Sequence, residues 1–342
     1  IRPRKPTDDD PRMFSFGVST TREEITGRAK SRYYPVEMSA VLEHIRTNPG
    51  RYAIVGLPCF LKAVRLRAHL DPVIGERVAF CVGLVCGHLK SAAFATFLAW
   101  QAGVEPDELV AFDFRRKLPD RPANLYGIEA YDHPPSEGPG VVKPNDQMYG
   151  TDWGMGMFKY KACDYCDDVL AELADITVGD AWLGRYLPDS KGTNVVVVRN
   201  STVRDLVEQA RGEGRLVLDD IGPDAVARSQ DAGLRHRREG LAYRLSLADE
   251  AGAWRPPKRV EADATGLTPK QREIQRMRIE ISRTSHDAFA RALQSGRLEV
   301  FMELMNPLVD RYRSLYKPSA RTLMVLHAKR MARRALRAVG IR

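Results

Sequence analysis

No stretch of this 342-residue chain approaches the roughly 18 consecutive apolar residues that a membrane-spanning helix needs. Its first ten residues, Ile1 through Asp10, are charged and lack the apolar segment of a secretory leader. The chain therefore reads as cytoplasmic. It begins with Ile rather than Met, so a further segment is expected upstream. Repeats and low-complexity tracts are also missing. Cysteine is scarce, with five residues, and without a secretory signal a disulfide framework is not expected. Acid is absent from residues 321–342, which carry Arg321, Lys329, Arg330, Arg333, Arg334, Arg337 and Arg342; taking those seven from the net charge of +9 leaves the rest near +2. Basicity is thus a property of the tail. A phosphate-binding groove needs cations over the body, interleaved with aromatics for a single strand, so no nucleic-acid partner is expected. The tail predicts a terminal helix that is solvated or makes peripheral contact with a membrane surface.

What is present suits a globular α/β protein, since 44% hydrophobic residues can fill a sizeable core. Residues 52–57 and 78–85 are short β-rich runs that end at Pro58-Cys59 and Cys86-Gly87, as buried strands do. Helical spacing follows each of them, over 62–70 and over 91–101, the second with Ser91 as N-cap. A further strand at 176–178 runs into Gly179-Asp180, and 193–199 is the most strand-like segment, leading into a helix at 203–211. Residues 113–156, rich in Pro, Gly, Tyr and Asp, predict an irregular or hairpin insert. Thr268-Pro269 signals a helix start, and Ile274, Met277 and Ile281 recur at helical spacing. The expected fold is a mixed sheet with flanking helices, an irregular insert and a helical C-terminal extension. Its domains are expected at 1–260 and 261–342, with 260–266 as the linker.

Among the cysteines, Cys163 and Cys166 have the C-x-x-C spacing that lets two thiolates ligate one metal centre from a single turn. Along a regular strand Cys81 and Cys86, five apart, would point to opposite faces. Cys86 lies at the strand end beside Gly87, whereas Cys81 sits mid-strand as a core thiol. Cys59, at another strand end, completes a set of four with Cys86, Cys163 and Cys166. Four thiolates fit either structural zinc or an iron-sulfur cluster. Zinc usually gathers two closely spaced pairs, so two ligands arriving singly tilt the choice slightly toward the cluster.

Several motifs now carry a resemblance: Ser31-Arg32-Tyr33; Gly56-Leu57-Pro58-Cys59; Val82-Gly83-Leu84-Val85-Cys86; Lys161-Ala162-Cys163-Asp164-Tyr165-Cys166; and the stretch from Ala171 through Asp175 to Gly179. Over roughly residues 15–200 the chain resembles the beta subunit of coenzyme F420 hydrogenase and its dehydrogenase relatives, which include flavin-dependent reductases of chlorophyll metabolism such as 7-hydroxymethyl chlorophyll a reductase. The four cysteines fall on these motifs and Cys81 does not. The resemblance implies a 4Fe-4S cluster on Cys59, Cys86, Cys163 and Cys166 beside an FAD. Ser31, Arg32, Tyr33, Gly56, Pro58, Gly179 and Asp180 are then flavin-pocket candidates, each of which could instead simply pack or turn the chain. Lys30 stands where the family usually has Gly, and the family's upstream Gly-rich, flavin-holding stretch lies before Ile1 if it is present. His88 and Lys90 match no family position and are weak catalytic candidates, a hydrogen-bonded role beside the site being the ordinary one for such a histidine.

The implied activity is an oxidoreductase that passes electrons between the cluster and FAD, with hydride exchange to a small organic substrate or a deazaflavin. Ferredoxin or a reduced deazaflavin would be the electron donor. Two rivals remain: a non-enzymatic interaction protein stapled by a zinc site on the same four cysteines, and, from the resemblance and the basic terminal helix, an accessory protein of surface-polysaccharide synthesis.

Overall fold

A computed structural model of the chain describes residues 1–4, 6–7 and 9–317. The basic terminal helix expected over 321–342, and the membrane contact expected of it, lie outside the described residues. Two short strands, β1 (Arg2–Pro3) and β2 (Phe14–Ser15), pair antiparallel, and helices α1 (Arg22–Gly27) and α2 (Ser39–Thr47) follow. The α/β unit is β3 (Tyr52–Gly56), α3 (Pro58–Leu70), α4 (Pro72–Arg77), β4 (Val78–Leu84) and α5 (Ala92–Gln101). The insert is an antiparallel meander of β5 (Ala111–Arg116), β6 (Gly127–Tyr131) and β7 (Val141–Pro144). After three 3-10 turns come β8 (Ile176–Asp180), β9 (Asn194–Val198) and α6 (Ser201–Gly212). Helices α7 (Pro223–Ser229), α8 (Asp231–Arg237), α9 (Glu239–Glu250), α10 (Pro269–Ser295) and α11 (Leu298–Ser314) complete the described chain.

The central sheet has the order β3-β4-β8-β9, with β3, β4 and β8 parallel and β9 antiparallel at the edge. This is the mixed sheet with flanking helices that the sequence predicts. Because three strands run the same way, their C-terminal ends, Gly56, Leu84 and Asp180, open on one edge. In open α/β sheets that edge is where ligands bind.

Two boundaries differ from expectation. The helix predicted from Lys62 begins at Pro58, because proline's fixed φ suits the first helical position and its missing N–H is not needed there. Cys59 therefore lies in the first turn of α3 rather than at a bare strand end. The strand predicted to Val85 stops at Leu84, so Cys86 stands beyond the regular pleat and the alternation of faces does not reach it. Cys81 is nonetheless fully buried, in a core with Ile54, Leu61, Val64, Ile74 and Ala174.

A second, larger core joins α5, the meander and the last two helices: Phe97, Phe114 and Ile128 share it with Met277, Phe289 and Phe301. Phe158 is its hub. The ring stacks on Phe301 at 5.6 Å and 11°. Its backbone has a positive φ of 57°, a region that costs a non-glycine residue energy. Bonds on both sides hold it there: its N–H donates to Ser285 Oγ on α10, and its carbonyl accepts from the Ser91 N–H at the start of α5. α10 itself starts at a capping box, in which Thr268 and Gln271 satisfy each other's backbone N–H groups.

Candidate functional site

At the open edge the chain leaves β3 into Pro58-Cys59 and leaves β4 into Val85-Cys86. The 3-10 turn Lys161–Tyr165, with Cys166 as its C-cap, supplies the third segment. Each of the six pairings among Cys59, Cys86, Cys163 and Cys166 brings the two sulfurs close enough for one to disfavour the other's ionisation. Cys81 feels only Arg65 and Asp175. Burial pushes the Cys86 thiol up to about 12, against the pull of Arg237. Burial also raises Cys163, although the Leu89 N–H donates to its sulfur at 3.3 Å. Cys59 is the most exposed of the four. Among the described residues no group of three or more His, Cys, Asp or Glu side chains is arranged to hold a metal ion. The thiols share a neighbourhood without converging on one point.

Buried charge surrounds them. Arg237, at the end of α8, donates to the Asp168 carbonyl at 3.0 Å and to the Gly87 carbonyl at 2.6 Å, and faces the Cys166 thiol. The Cys166 thiol donates to the same Asp168 carbonyl at 3.4 Å. Arg244 on α9 donates to the Asp164 carbonyl at 2.9 Å and to Gln275 Oε1 at 2.7 Å. Lys159 pairs with the Asp164 carboxylate.

Trp153 links this cluster to a second group. Its indole stacks on His88 at 4.6 Å and 18° and meets Tyr33 at 4.7 Å. A Cβ on Gly87 would come within 2.3 Å of the indole nitrogen, so only glycine lets the ring lie against the chain just after Cys86. Tyr33 meets Tyr126 of the insert. Beside them Arg115 on β5 holds Asp180 with two bonds of 2.6 and 2.8 Å, and its guanidinium lies over the Tyr126 and Trp182 rings. Arg32 approaches Asp113 at 4.0 Å and covers Phe14. Among the described residues, the Nε groups of Arg32 and Arg115 and Nε2 of His88 are buried without a hydrogen-bond partner. Unmet donors of this kind are costly, and they suit an acceptor-rich ligand such as a phosphate or a flavin carbonyl.

The expected residues thus divide. Ser31, Arg32, Tyr33 and Asp180 gather at the insert. Gly56, Pro58 and Gly179 have work within the chain: a Cβ on Gly179 would meet Val85 at 2.3 Å, a Cβ on Gly56 would meet Leu61 at 3.2 Å, and Pro58 starts α3. Lys90 is wholly enclosed, its Nζ donating to the Met157 carbonyl at 2.5 Å and lying over the Phe94 and Trp153 rings. Burial, then the charge of Lys159, brings it down to about 7. His88 is pushed well below the usual range by burial and by Lys90.

Sequence reasoning missed Arg115, Tyr126, Trp153, Arg237 and Arg244. A signal existed for Arg244 alone. Leu241, Leu245 and Ala248 form the buried stripe of α9, and Arg244 falls on it at helical spacing, a cation where an apolar residue belongs.

The family profile for the C-terminal part of the coenzyme F420 hydrogenase/dehydrogenase beta subunits matches residues 50–224. The chain belongs to this beta-subunit family. The match includes all four cysteines of the set, Arg115, Tyr126, Trp153 and Asp180, and stops before α8 and α9. In fold the chain is similar to a chain of the F420-reducing nickel-iron hydrogenase complex from Methanosarcina barkeri, solved as a xenon derivative, at 19% identity and a TM-score of 0.50. That likeness covers 74% of this chain and 82% of the other. No curated protein sequence matches. Membership makes the chain an oxidoreductase subunit of the F420 hydrogenase beta type. No helix among the described residues is long and apolar enough to cross a membrane.

Proposed function

We propose that this chain is an iron-sulfur flavoprotein oxidoreductase in which Cys59, Cys86, Cys163 and Cys166 hold a 4Fe-4S cluster beside an FAD. The observation that carries the reading is that four thiols from three separate segments share one electrostatic neighbourhood while the fifth, Cys81, is packed into a core. Four thiolates on one zinc would each lie about 2.3 Å from it and crowd together. Two thiols arriving singly after separate strands and one pair from a distant turn differ from the two closely spaced pairs usual for zinc, and this favours a cluster.

When bound, the pair would supply conversion between single-electron and hydride transfer. The chain's own residues do the holding and orienting. The Leu89 N–H supports the Cys163 sulfur, and the N-terminus of α3 favours negative charge on Cys59. Arg32, Tyr33, Arg115, Tyr126 and Asp180 are the side chains suited to the flavin or its organic partner, with the free Nε groups of Arg32 and Arg115 as donors. Trp153 and His88 close the space between the two groups. Ferredoxin or a reduced deazaflavin is the proposed electron donor in a cytoplasmic setting, and a small organic molecule the hydride partner.

Single serine replacements of all five cysteines test the assignment after anaerobic reconstitution with iron and sulfide. Loss of the broad visible absorption in Cys59→Ser, Cys86→Ser, Cys163→Ser and Cys166→Ser, with Cys81→Ser retaining it, is the expected pattern. Retention in two or more of the first four, or loss confined to Cys81→Ser, would refute the set.

A further inference from the structure

Positive charge is in excess around the four thiols. Lys159, Arg237 and Arg244 are each less than 5% exposed. The carboxylate of Asp164 serves two of them, pairing with Lys159 and approaching Arg244 Nε at 3.8 Å. Among the described residues no carboxylate pairs with Arg237: its bonds to oxygen end on neutral backbone carbonyls. The other buried acid, Asp168, uses Oδ2 for the Glu172 N–H and leaves Oδ1 without a partner. Arg278, which approaches His236, adds a further cation. A buried cation with no counter-charge costs several kcal/mol, on the order of the desolvation of any lone ion. Negative charge on the sulfurs offsets that surplus.

The position of Arg237 is specific. One of its carbonyl partners, Gly87, follows Cys86 directly, and the other, Asp168, lies two residues after Cys166. One guanidinium thus straps two thiol-bearing loops that are separate in sequence. Arg244 holds the carbonyl of Asp164, between Cys163 and Cys166. Both arginines come from α8 and α9, outside the residues matched by the family profile.

We propose that Arg237, assisted by Arg244, is a positioning residue that sets the charge balance of the four-thiol site, tying the Cys86 loop to the Cys163–Cys166 loop and favouring the reduced, more negative state of the cluster those thiols hold. This rests on the cluster reading given above. The guanidinium faces one more negative charge after a single electron arrives from the external donor, and no bond forms or breaks. A fixed buried cation lowers the cost of that added charge.

The test is a potentiometric titration of reconstituted protein, read by the visible spectrum and by electron paramagnetic resonance, with iron content and circular dichroism as controls. Arg237→Gln removes the charge and keeps a donor; Arg237→Lys keeps the charge and loses the two-pronged strap. At a fixed potential Arg237→Gln is expected to lower the reduced-to-oxidised ratio on the order of tenfold, with Arg237→Lys closer to the wild type. An unchanged ratio in Arg237→Gln, or an equal shift in both variants, overturns the inference while leaving the cluster in place. Should Arg237→Gln fail to fold, Arg244→Gln against Arg244→Lys is expected to show the same ordering, and its absence overturns the inference equally. Wild-type protein that takes up no iron and sulfide defeats the cluster reading itself, a result visible before any variant is titrated.

Discussion

Lys90 shows at the scale of one residue what this interior does to charge. In an unfolded chain its ammonium titrates near 10.4, and in the fold at about 7. Between those values the unfolded state binds the extra proton, so the lysine's contribution to stability rises with pH across that window. Below about pH 7 both states are protonated and the full penalty of burying the cation applies. Lys90→Met should therefore be more stable than the wild type near pH 7, by a few kcal/mol less about 1 kcal/mol for the lost bond to Met157. The gap should narrow as pH approaches about 10. Urea unfolding of both chains at the two pH values checks this, and a gap that stays constant or widens would show that Lys90 is not held neutral. Residues of this kind were only partly legible. The four cysteines could be picked out because their motifs and their positions near strand ends are local properties. Arg237 could not, because it stands in the run Arg235-His236-Arg237-Arg238, where neighbouring cations read as a solvated face.

At the scale of elements, β4 carries the constraint. Gly83 lies mid-sheet, and a Cβ there would come within 2.4 Å of Ala171 Cβ and 2.9 Å of Ala174 Cβ. Ala171 itself has a positive φ of 48°, so the loop that follows Cys166 is pressed onto the strand. Gly83→Ala should cost about 2–3 kcal/mol through overpacking, seen as a lower urea midpoint. A midpoint at the wild-type value would mean that the loop can lift away. The strands were the most legible elements, since runs such as Asn194–Val198 declare themselves by composition. Helix α3 was read four residues late because Pro58 was taken as an end rather than a start. The meander was legible as an insert. Its register was not, because long loops rather than tight turns join its strands and leave pairings such as Glu129 with Asp113 and with Val142 unset by local sequence. Helices α7, α8 and α9 were not singled out, the apolar stripe of α9 being interrupted by Arg244.

At the scale of the whole molecule, the open edge of one parallel sheet is closed by parts that no single stretch of sequence contains. Cys59 and Cys86 stand just beyond the ends of β3 and β4, and Cys163 and Cys166 come from a distant turn. The insert delivers Arg115 and Tyr126, and α8 and α9 deliver the buried arginines. Lys159 and Phe158, next to each other, tie the thiol turn to α10 through the Ser282 and Ser285 hydroxyls. Anchoring from several directions keeps ligand loops in place before any ligand arrives, which limits the ordering cost of binding. The central claim is that the four thiols hold a 4Fe-4S cluster. It is tested most directly by the iron and acid-labile sulfide content of anaerobically reconstituted protein, measured on the same sample as its zinc. The account predicts about four irons and about four sulfides per chain with negligible zinc; one zinc per chain with neither iron nor sulfide would contradict it.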